Sequence, residues 1–327
     1  MGVLKTGGFY AFIQKVSKSI YDHPSGSCHR LCTGRLRGKR RIIKLSESAA
    51  SSSSAKAPAA GAAKTPAKPG DKLIIRMLDI GQGDAFLLEK DGKFAMIDTG
   101  DVEHREALVK YLHEYGVKEL SNVIITHPHA DHMGGMKAVF DNIKVDNIYD
   151  DGVPTNTNTY KTYLKNIKTK NIPFHIPKAG ETIALFDGVD FHVAGPVSEI
   201  KDQKGRPDLN NNSIVGKLTY GDFSMLFTGD AEKEEESAIL KSGFGLKSDV
   251  LKVGHHGSRT GTTPFFLKAV APKEAFISCG QGNDYGHPHK ETMTKLENAG
   301  IHIFRTDRDG TVILTTDGST YQIAKEH

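Results

Sequence analysis

The chain of 327 residues carries 43 Lys or Arg against 39 Asp or Glu, a formal net charge of +4 at pH 7, and 38% hydrophobic residues. The charge is uneven: residues 1–70 hold 13 Lys or Arg against 2 Asp or Glu, and the rest holds 30 against 37. The basic character therefore belongs to a leader, and charge balance alone is no argument for a nucleic-acid-binding body.

In the leader, MGVLKTGGFYAFIQKV is mildly apolar but too short and too interrupted to span a membrane. No clear secretory apolar region with a small-residue cleavage site follows it, which favours a cytoplasmic location. RLRGKRRIIK (35–44) reads as a solvated charge run that could touch anionic surfaces. SESAASSSSAKAPAAGAAKTPAKPG (46–70) reads as a flexible linker with nothing to pack. The expected organisation is a basic, low-complexity leader over 1–70 and one folded domain over 71–327. Cys28 and Cys32 lie four apart in the leader with no second half of a zinc site, and Cys279 ends an apolar stretch where a small buried side chain belongs.

From Asp71 the texture changes. KLIIRMLDIG, AFLLEK and KFAMIDTG are short strands closed by glycine or by the turn KDGK, and REALVKYLHEYGV has helical spacing up to Gly116. LSNVIIT is a strand, HMGGMKAVFDNI (132–143) a helix, KVDNIYD a strand and TYLKNIKTK a helix. ETIALFDGVDFHVAG holds two strands about a DG turn, and SIVGKLTYGDFSMLFTGD is a hairpin. AEKEEESAILKSG is a helix with an acidic start, suited to its dipole. DVLKVG, EAFISCG, IHIFRT and TVILTTDG are further strands, separated in part by the helices TPFFLKAVAP and HKETMTKLENAG. About a dozen short strands with helices at intervals predict an α/β body of two packed mixed sheets with helices outside. A doubly wound nucleotide fold fits poorly, because DIGQGDAF lacks the G-x-G-x-x-G spacing and runs into a strand.

The segment THPHADHMGG (126–135) places His127, His129, Asp131 and His132 within six positions at the end of a strand. Imidazoles with a hard carboxylate suit zinc, manganese or iron, and four such groups can serve two neighbouring ions. The alternative is a wet turn with Asp131 as a helix cap.

H-x-H-x-D-H after an apolar strand resembles the signature of the metallo-β-lactamase superfamily, a four-layered αβ/βα sandwich with its site at the edge of the sheets. LDIGQGDA (78–85), MIDTG (96–100), NNNSIV (210–215), FTGDAE (227–232), LKVGHHGSRTG (251–261), YGHPH (285–289) and FRTDRDG (304–310) follow in order. Together they most resemble the branch formed by the soluble domain of the bacterial DNA-uptake channel protein ComEC/Rec2, over about residues 72–320. The resemblance implies that His127 and His129 hold one metal, Asp131 and His132 a second, and that Asp230 bridges them. One of His255 and His256 completes the coordination of the second metal, with His256 the preferred ligand. The other is then free for a substrate oxygen or a supporting carboxylate. Many members carry a further histidine for the first metal. Between His132 and Asp230, where it would fall, only His175 and His192 lie, so the first site is expected to be weaker, more water-ligated, or completed near Asn211 or Asn212.

Asp79, Asp84 and Asp98 are read as carboxylates that steady the ligand histidines, with a turn cap as the alternative for Asp98. Ser258 and Arg259 could line an anion pocket, although Arg259 is equally a solvated side chain. His287 and His289, flanking Pro288, are candidates to approach a leaving group. The implied function is a metal-dependent phosphodiesterase, a DNA nuclease, in which two divalent ions (Zn or Mn) lower the pKa of a bridging water that attacks phosphorus. Asp131 and Asp230 would position that nucleophile, and His255, His256, His287 or His289 would protonate the leaving alkoxide. DNA binding by an acidic body needs local cations, for which Lys252, Arg259 and Arg305 are candidates. The alternatives are hydrolysis of a small phosphodiester, such as a cyclic nucleotide or a phosphorylcholine ester, and a metal-stabilised binding or regulatory module with little turnover.

Overall fold

The computed structural model describes residues 71–327. The leader expected over 1–70, with Cys28 and Cys32, lies outside the described residues. None of the described helices is long and apolar enough to cross a membrane.

The chain begins with an antiparallel meander of β1 (Leu73–Met77), β2 (Ala85–Lys90) and β3 (Lys93–Thr99). Asp91 and Gly92, at φ 52° and 71°, make the tight β2–β3 turn in the left-handed geometry that matches strand twist. Helix α1 (Arg105–Glu114), β4 (Glu119–Leu120), β5 (Asn122–Ile125), α2 (Ala130–Met133), α3 (Met136–Asn142), β6 (Lys144–Val145), β7 (Ile148–Asp150), α4 (Asn158–Lys170) and β8 (Phe174–His175) follow. The second half holds β9 (Thr182–Phe186), β10 (Val189–Gly195), β11 (Val215–Tyr220), β12 (Phe223–Phe227), α5 (Lys233–Ser242), β13 (Val250–Lys252) and α6 (Pro264–Val270). It closes with β14 (Glu274–Ile277), α7 (Lys290–Asn298), β15 (His302–Arg305), α8 (Thr306–Asp309), β16 (Val312–Thr316) and β17 (Tyr321–Lys325).

One eight-stranded sheet runs β17-β16-β1-β2-β3-β5-β7-β8, and a seven-stranded sheet runs β15-β14-β13-β12-β11-β10-β9. Three apolar clusters define the layers. Alternation along β1 sends Leu73, Ile75 and Met77 inward, where they meet Phe191, Leu218, Met225 and Phe227 of the other sheet. On the opposite face of the first sheet, Leu87, Met96 and Val123 pack beneath Leu108, Leu112, Phe140 and Tyr163 of α1, α3 and α4. Outside the second sheet, Leu226, Leu251 and Ile277 pack beneath Ile239, Phe266 and Leu296 of α5, α6 and α7. Helix, sheet, sheet, helix is the four-layered αβ/βα sandwich that the motifs implied.

The helix expected over 132–143 is broken. Gly135 N donates to Gly100 O at 3.1 Å instead of continuing the helical ladder. A Cβ on Gly134 would lie 2.3 Å from Ala130 O and one on Gly135 2.1 Å from Thr99 O, so only glycine lets the β3 loop pass this close. The double glycine is thus where two loops are pressed together. The expected TYLKNIKTK helix starts earlier than its motif, at Asn158, because the Thr157 hydroxyl accepts from Tyr160 N and caps it.

Within each sheet one portion is parallel: β3, β5, β7 and β8 in the first, β12, β13, β14 and β15 in the second. The loops leaving the carboxyl ends of β3, β5, β12, β13 and β14 meet at one edge, and Ile214 N to Thr126 O at 2.8 Å ties the two sheets together there. Such strand ends present side chains to solvent on a rigid base.

Candidate metal centre

Two groups of candidate donors share one aspartate. His127, His129 and Asp230 offer donor atoms within 4.8 Å of one another, as do Asp131, His132, Asp230 and His256. His127 Nε2 and His129 Nδ1 are 3.0 Å apart, close to the roughly 3.0–3.4 Å expected of neighbouring donors that each lie about 2.1 Å from one ion. Asp230 Oδ2 faces His127 Nε2 at 3.8 Å, while its Oδ1 faces His132 Nε2 at 3.2 Å and His256 Nε2 at 3.6 Å. Asp131 Oδ2 stands 3.2 Å from His256 Nε2. His132 Nε2 and Asp230 Oδ1 are buried without a hydrogen-bond partner, since their approach is not aligned as a hydrogen bond. Buried atoms of this kind are costly unless something else meets them. Nitrogen and carboxylate donors with inward-facing orphan atoms fit divalent cations.

The outer nitrogens are held from behind. Asp98 Oδ2 takes His132 Nδ1 at 2.8 Å and the Thr126 hydroxyl at 2.7 Å, while its Oδ1 accepts from Thr126 N at 2.8 Å. His256 Nδ1 donates to Ser278 O at 2.9 Å. Asp84 sits between them. It pairs with Lys252 Nζ at 2.7 Å, accepts from the Ser278 hydroxyl, and lies 3.4 Å from His256 Nδ1. These partners turn each Nε2 towards the cluster. Asp98, His255 and His256 adopt φ values of 56°, 49° and 51°, a left-handed conformation that costs L residues on the order of 1–3 kcal/mol and that gathers at functional sites.

Burial pushes His127 and His129 below the ordinary imidazole range, leaving lone pairs free. Burial opposes charge on His132 as well, but Asp230, Asp98 and Asp131 outweigh it and raise this imidazolium well above that range. His256 is likewise pushed up to about 10, as Asp230, Asp131 and Asp84 overcome its burial. The same pairs hold Asp131 and Asp230 below the usual carboxylate range against desolvation.

His256 thus stands in the four-donor group. His255 faces outward from that group, its Nδ1 3.0 Å from Glu232 Oε1 and its Nε2 3.7 Å from Asp230 Oδ2. The His287 ring lies 5.4 Å from that of His255, and burial together with His255 and His256 lowers its pKa to about 4. His289 Nδ1 accepts from Arg259 N at 3.1 Å, and the Arg259 side chain is exposed. Ser258 Oγ meets Thr260 Oγ1 at 2.9 Å. Asp79 accepts from Gly81 N at 3.5 Å and lines the neighbouring cleft.

Neither interval histidine reaches the first group. His192 is held on the sheet between the hydroxyls of Thr182 and Thr219, each at 3.0 Å, and His175 stacks on Tyr149. Asn211 and Asn212 brace their loop: Asn211 Oδ1 accepts from Glu235 N at 3.2 Å, and Asn212 binds Ile200 N, Ile200 O and Asp208 O. Lys252 is buried against Asp84, and Arg305 is clamped by Asp307 at 2.9 and 2.6 Å, so of the three expected cations only Arg259 is turned to solvent. Glu232, Ser278 and Thr126 escaped the sequence reading. Each follows a strand end within two residues of a motif residue or a glycine turn, a position that marks a residue as near the site without assigning its partner.

Beside the centre lies a cleft of about 760 Å³ whose lining includes Asp131, Asp79, Glu103 and Tyr285. The family described as the metallo-beta-lactamase superfamily matches residues 78–281. ComE operon protein 3 of Bacillus subtilis is 32% identical over 258 residues, covering 73% of this chain and 32% of that protein. Competence protein ComA of Neisseria gonorrhoeae is 30% identical over 246 residues, covering 75% and 32%. The chain thus spans about a third of the length of these relatives. A solved structure of the CmlA beta-hydroxylase matches with a TM-score of 0.51 at 13% identity, covering 76% of this chain and 54% of that one.

Proposed function

The chain belongs to the metallo-beta-lactamase superfamily, and from that premise we propose that it is a metal-dependent phosphodiesterase acting as a DNA nuclease. The observation that carries this reading is Asp230, which turns one oxygen to each of two donor groups. His127, His129 and Asp230 would hold one divalent ion, and Asp131, His132, Asp230 and His256 the other. Zinc and manganese both suit this mixture, and the first ion, with one donor fewer, is the more easily lost. Bound there, such ions supply Lewis acidity and a water of lowered pKa.

The protein's own groups do the rest. Asp98 and Ser278 O fix the His132 and His256 rings so that Nε2 faces the centre. Glu232 does the same for His255, whose Nε2 is then placed to meet a phosphoryl or leaving oxygen beside Asp230. His287, kept neutral by its surroundings, can accept from substrate but is a poor proton donor near pH 7. Similarity to the competence and ComE operon proteins supports DNA as the substrate. A second reading, a small phosphodiester, draws support from the burial of Lys252, the pairing of Arg305 and the acidic cleft.

The test is metal content and turnover of the full chain on linear single-stranded DNA, plasmid DNA and bis(p-nitrophenyl) phosphate with zinc and manganese, beside D131A and D230A. Strand cleavage that depends on both aspartates is expected. Cleavage retained by both variants would refute the site, turnover of the small ester alone would select the second reading, and metal binding without turnover would leave a binding module.

A further inference from the structure

The cleft that opens from Asp131 has two properties that together specify an occupant. Asp79, Glu103 and Asp284 lie along it beside Asp101, whose carboxylate is held by Glu103 N, His104 N and His104 Nδ1, and no Lys or Arg is among its lining residues. At its mouth Tyr285 is 67% exposed, one of two large aromatic rings turned to solvent among the described residues, the other being Phe265 on α6, away from the cleft. The Tyr285 ring lies nearly parallel to that of His287, at 5.7 Å and 19°, and His287 in turn packs against His255 and His256. Its loop is stapled by Asn283, whose amide nitrogen donates to Gly280 O at 2.9 Å and His287 O at 2.6 Å while its oxygen accepts from His287 N at 3.0 Å. An exposed aromatic face on a braced loop, one ring away from the metal centre, is a platform for a flat, uncharged group.

We infer that this cleft takes the terminal nucleoside of a single strand, its base stacked on Tyr285, and that the carboxylate walls keep the phosphodiester backbone from continuing through it. The inference rests on the phosphodiesterase reading and narrows it to cleavage from strand ends. A polyanion is held by pairing its phosphates with cations, and here each further phosphate would meet carboxylates instead. A nucleoside carries no charge, and its amino and hydroxyl hydrogens are donors that carboxylates accept. The volume, about 760 Å³, falls in the range of small-ligand sites and admits a nucleoside or two. The scissile phosphate would then lie at Asp131, where the cleft meets the ligand groups.

The experiment compares the full chain, loaded with manganese, on one single-stranded oligonucleotide in three forms: linear, closed into a circle, and linear with abasic residues at both ends. The linear form is expected to be degraded from its ends and the circle to resist by at least about 10-fold. Tyr285→Ala should raise KM on the natural linear strand by about 5- to 150-fold, the range of one lost base–aromatic stack, while Tyr285→Phe stays near wild type. The abasic-ended strand should be a poor substrate and insensitive to Tyr285→Ala. Neutralising the walls in the double variant Glu103→Gln/Asp284→Asn should make the circle a better substrate. A circle cut as fast as the linear strand, or an unchanged KM in Tyr285→Ala, overturns the inference. If no form is cut, the nuclease reading has failed. Fluorescence anisotropy of the labelled linear strand then decides the stacking: weaker binding by Tyr285→Ala sustains it, and equal binding removes it.

Discussion

Replacing Asp98 with asparagine tests how the centre is built. Asp98 Oδ2 accepts from both the Thr126 hydroxyl, at 2.7 Å, and His132 Nδ1, at 2.8 Å, inside a fully buried site. An amide can keep Oδ1 on Thr126 N, but its NH₂ then faces two former donors. The Thr126 hydroxyl can rotate to accept. His132 cannot keep Nδ1–H against another N–H. It either leaves a buried donor unsatisfied, at about 1–3 kcal/mol, or moves the proton to Nε2, where the lone pair faces Asp230. Both routes weaken metal binding, and 1.4–2.7 kcal/mol corresponds to the roughly 10- to 100-fold loss typical when the hydrogen-bond acceptor behind a ligand histidine is removed. Competition against a chromophoric chelator should show that loss for the ion held by His132. The ion at His127 and His129 should be less affected, as Asp98 touches neither ring in a way that fixes Nε2. Wild-type affinity at the four-donor group in Asp98→Asn, with the fold intact by circular dichroism, would refute the assignment of His132 as a ligand oriented by Asp98.

Other perturbations probe the scaffold. Gly135→Ala places a methyl 2.1 Å from Thr99 O, where only backbone can move, and should cost about 2–3 kcal/mol in urea denaturation together with loss of bound metal. Burial raises the Asp150 carboxyl to about 6, above its unfolded value, so wild-type stability falls as pH rises from about 4 to 6. Asp150→Asn, which keeps the bond from Gly152 N, should therefore be more stable than wild type at pH 7.5, by on the order of 2 kcal/mol, with the gain gone at pH 4 in paired melts. His192→Ala should leave metal stoichiometry unchanged, since that ring is engaged by Thr182 and Thr219; loss of an ion would return it to the first shell.

The positions of the strands and their gathering into two sheets with outer helices were legible because both depend on patterns that a sequence carries openly. Alternation along LIIRM and glycine closure of each run report directly on which face is buried and where a strand stops. The donor clusters were legible for a related reason: THPHADH crowds His and Asp into one strand end, and TGD and HHGS each follow a strand. Partners behind the ligands were harder to read. Asp84 and Lys252 are separated by most of the domain, and each looks like an ordinary charged residue until the sheets bring them to 2.7 Å. Lys252 is the instructive case, since a lysine beside a metal motif suggests a phosphate-binding cation. Its position in β13 instead carries it inside, where Asp84 neutralises it and Gly229 O and Val253 O take its remaining hydrogens. The same burial removes positive charge from the surface of the centre, and no Lys or Arg lines the neighbouring cleft. Lys252, one of three cations that the sequence offered to DNA, is thus an internal strut, and of the three Arg259 alone stays turned to solvent beside the centre.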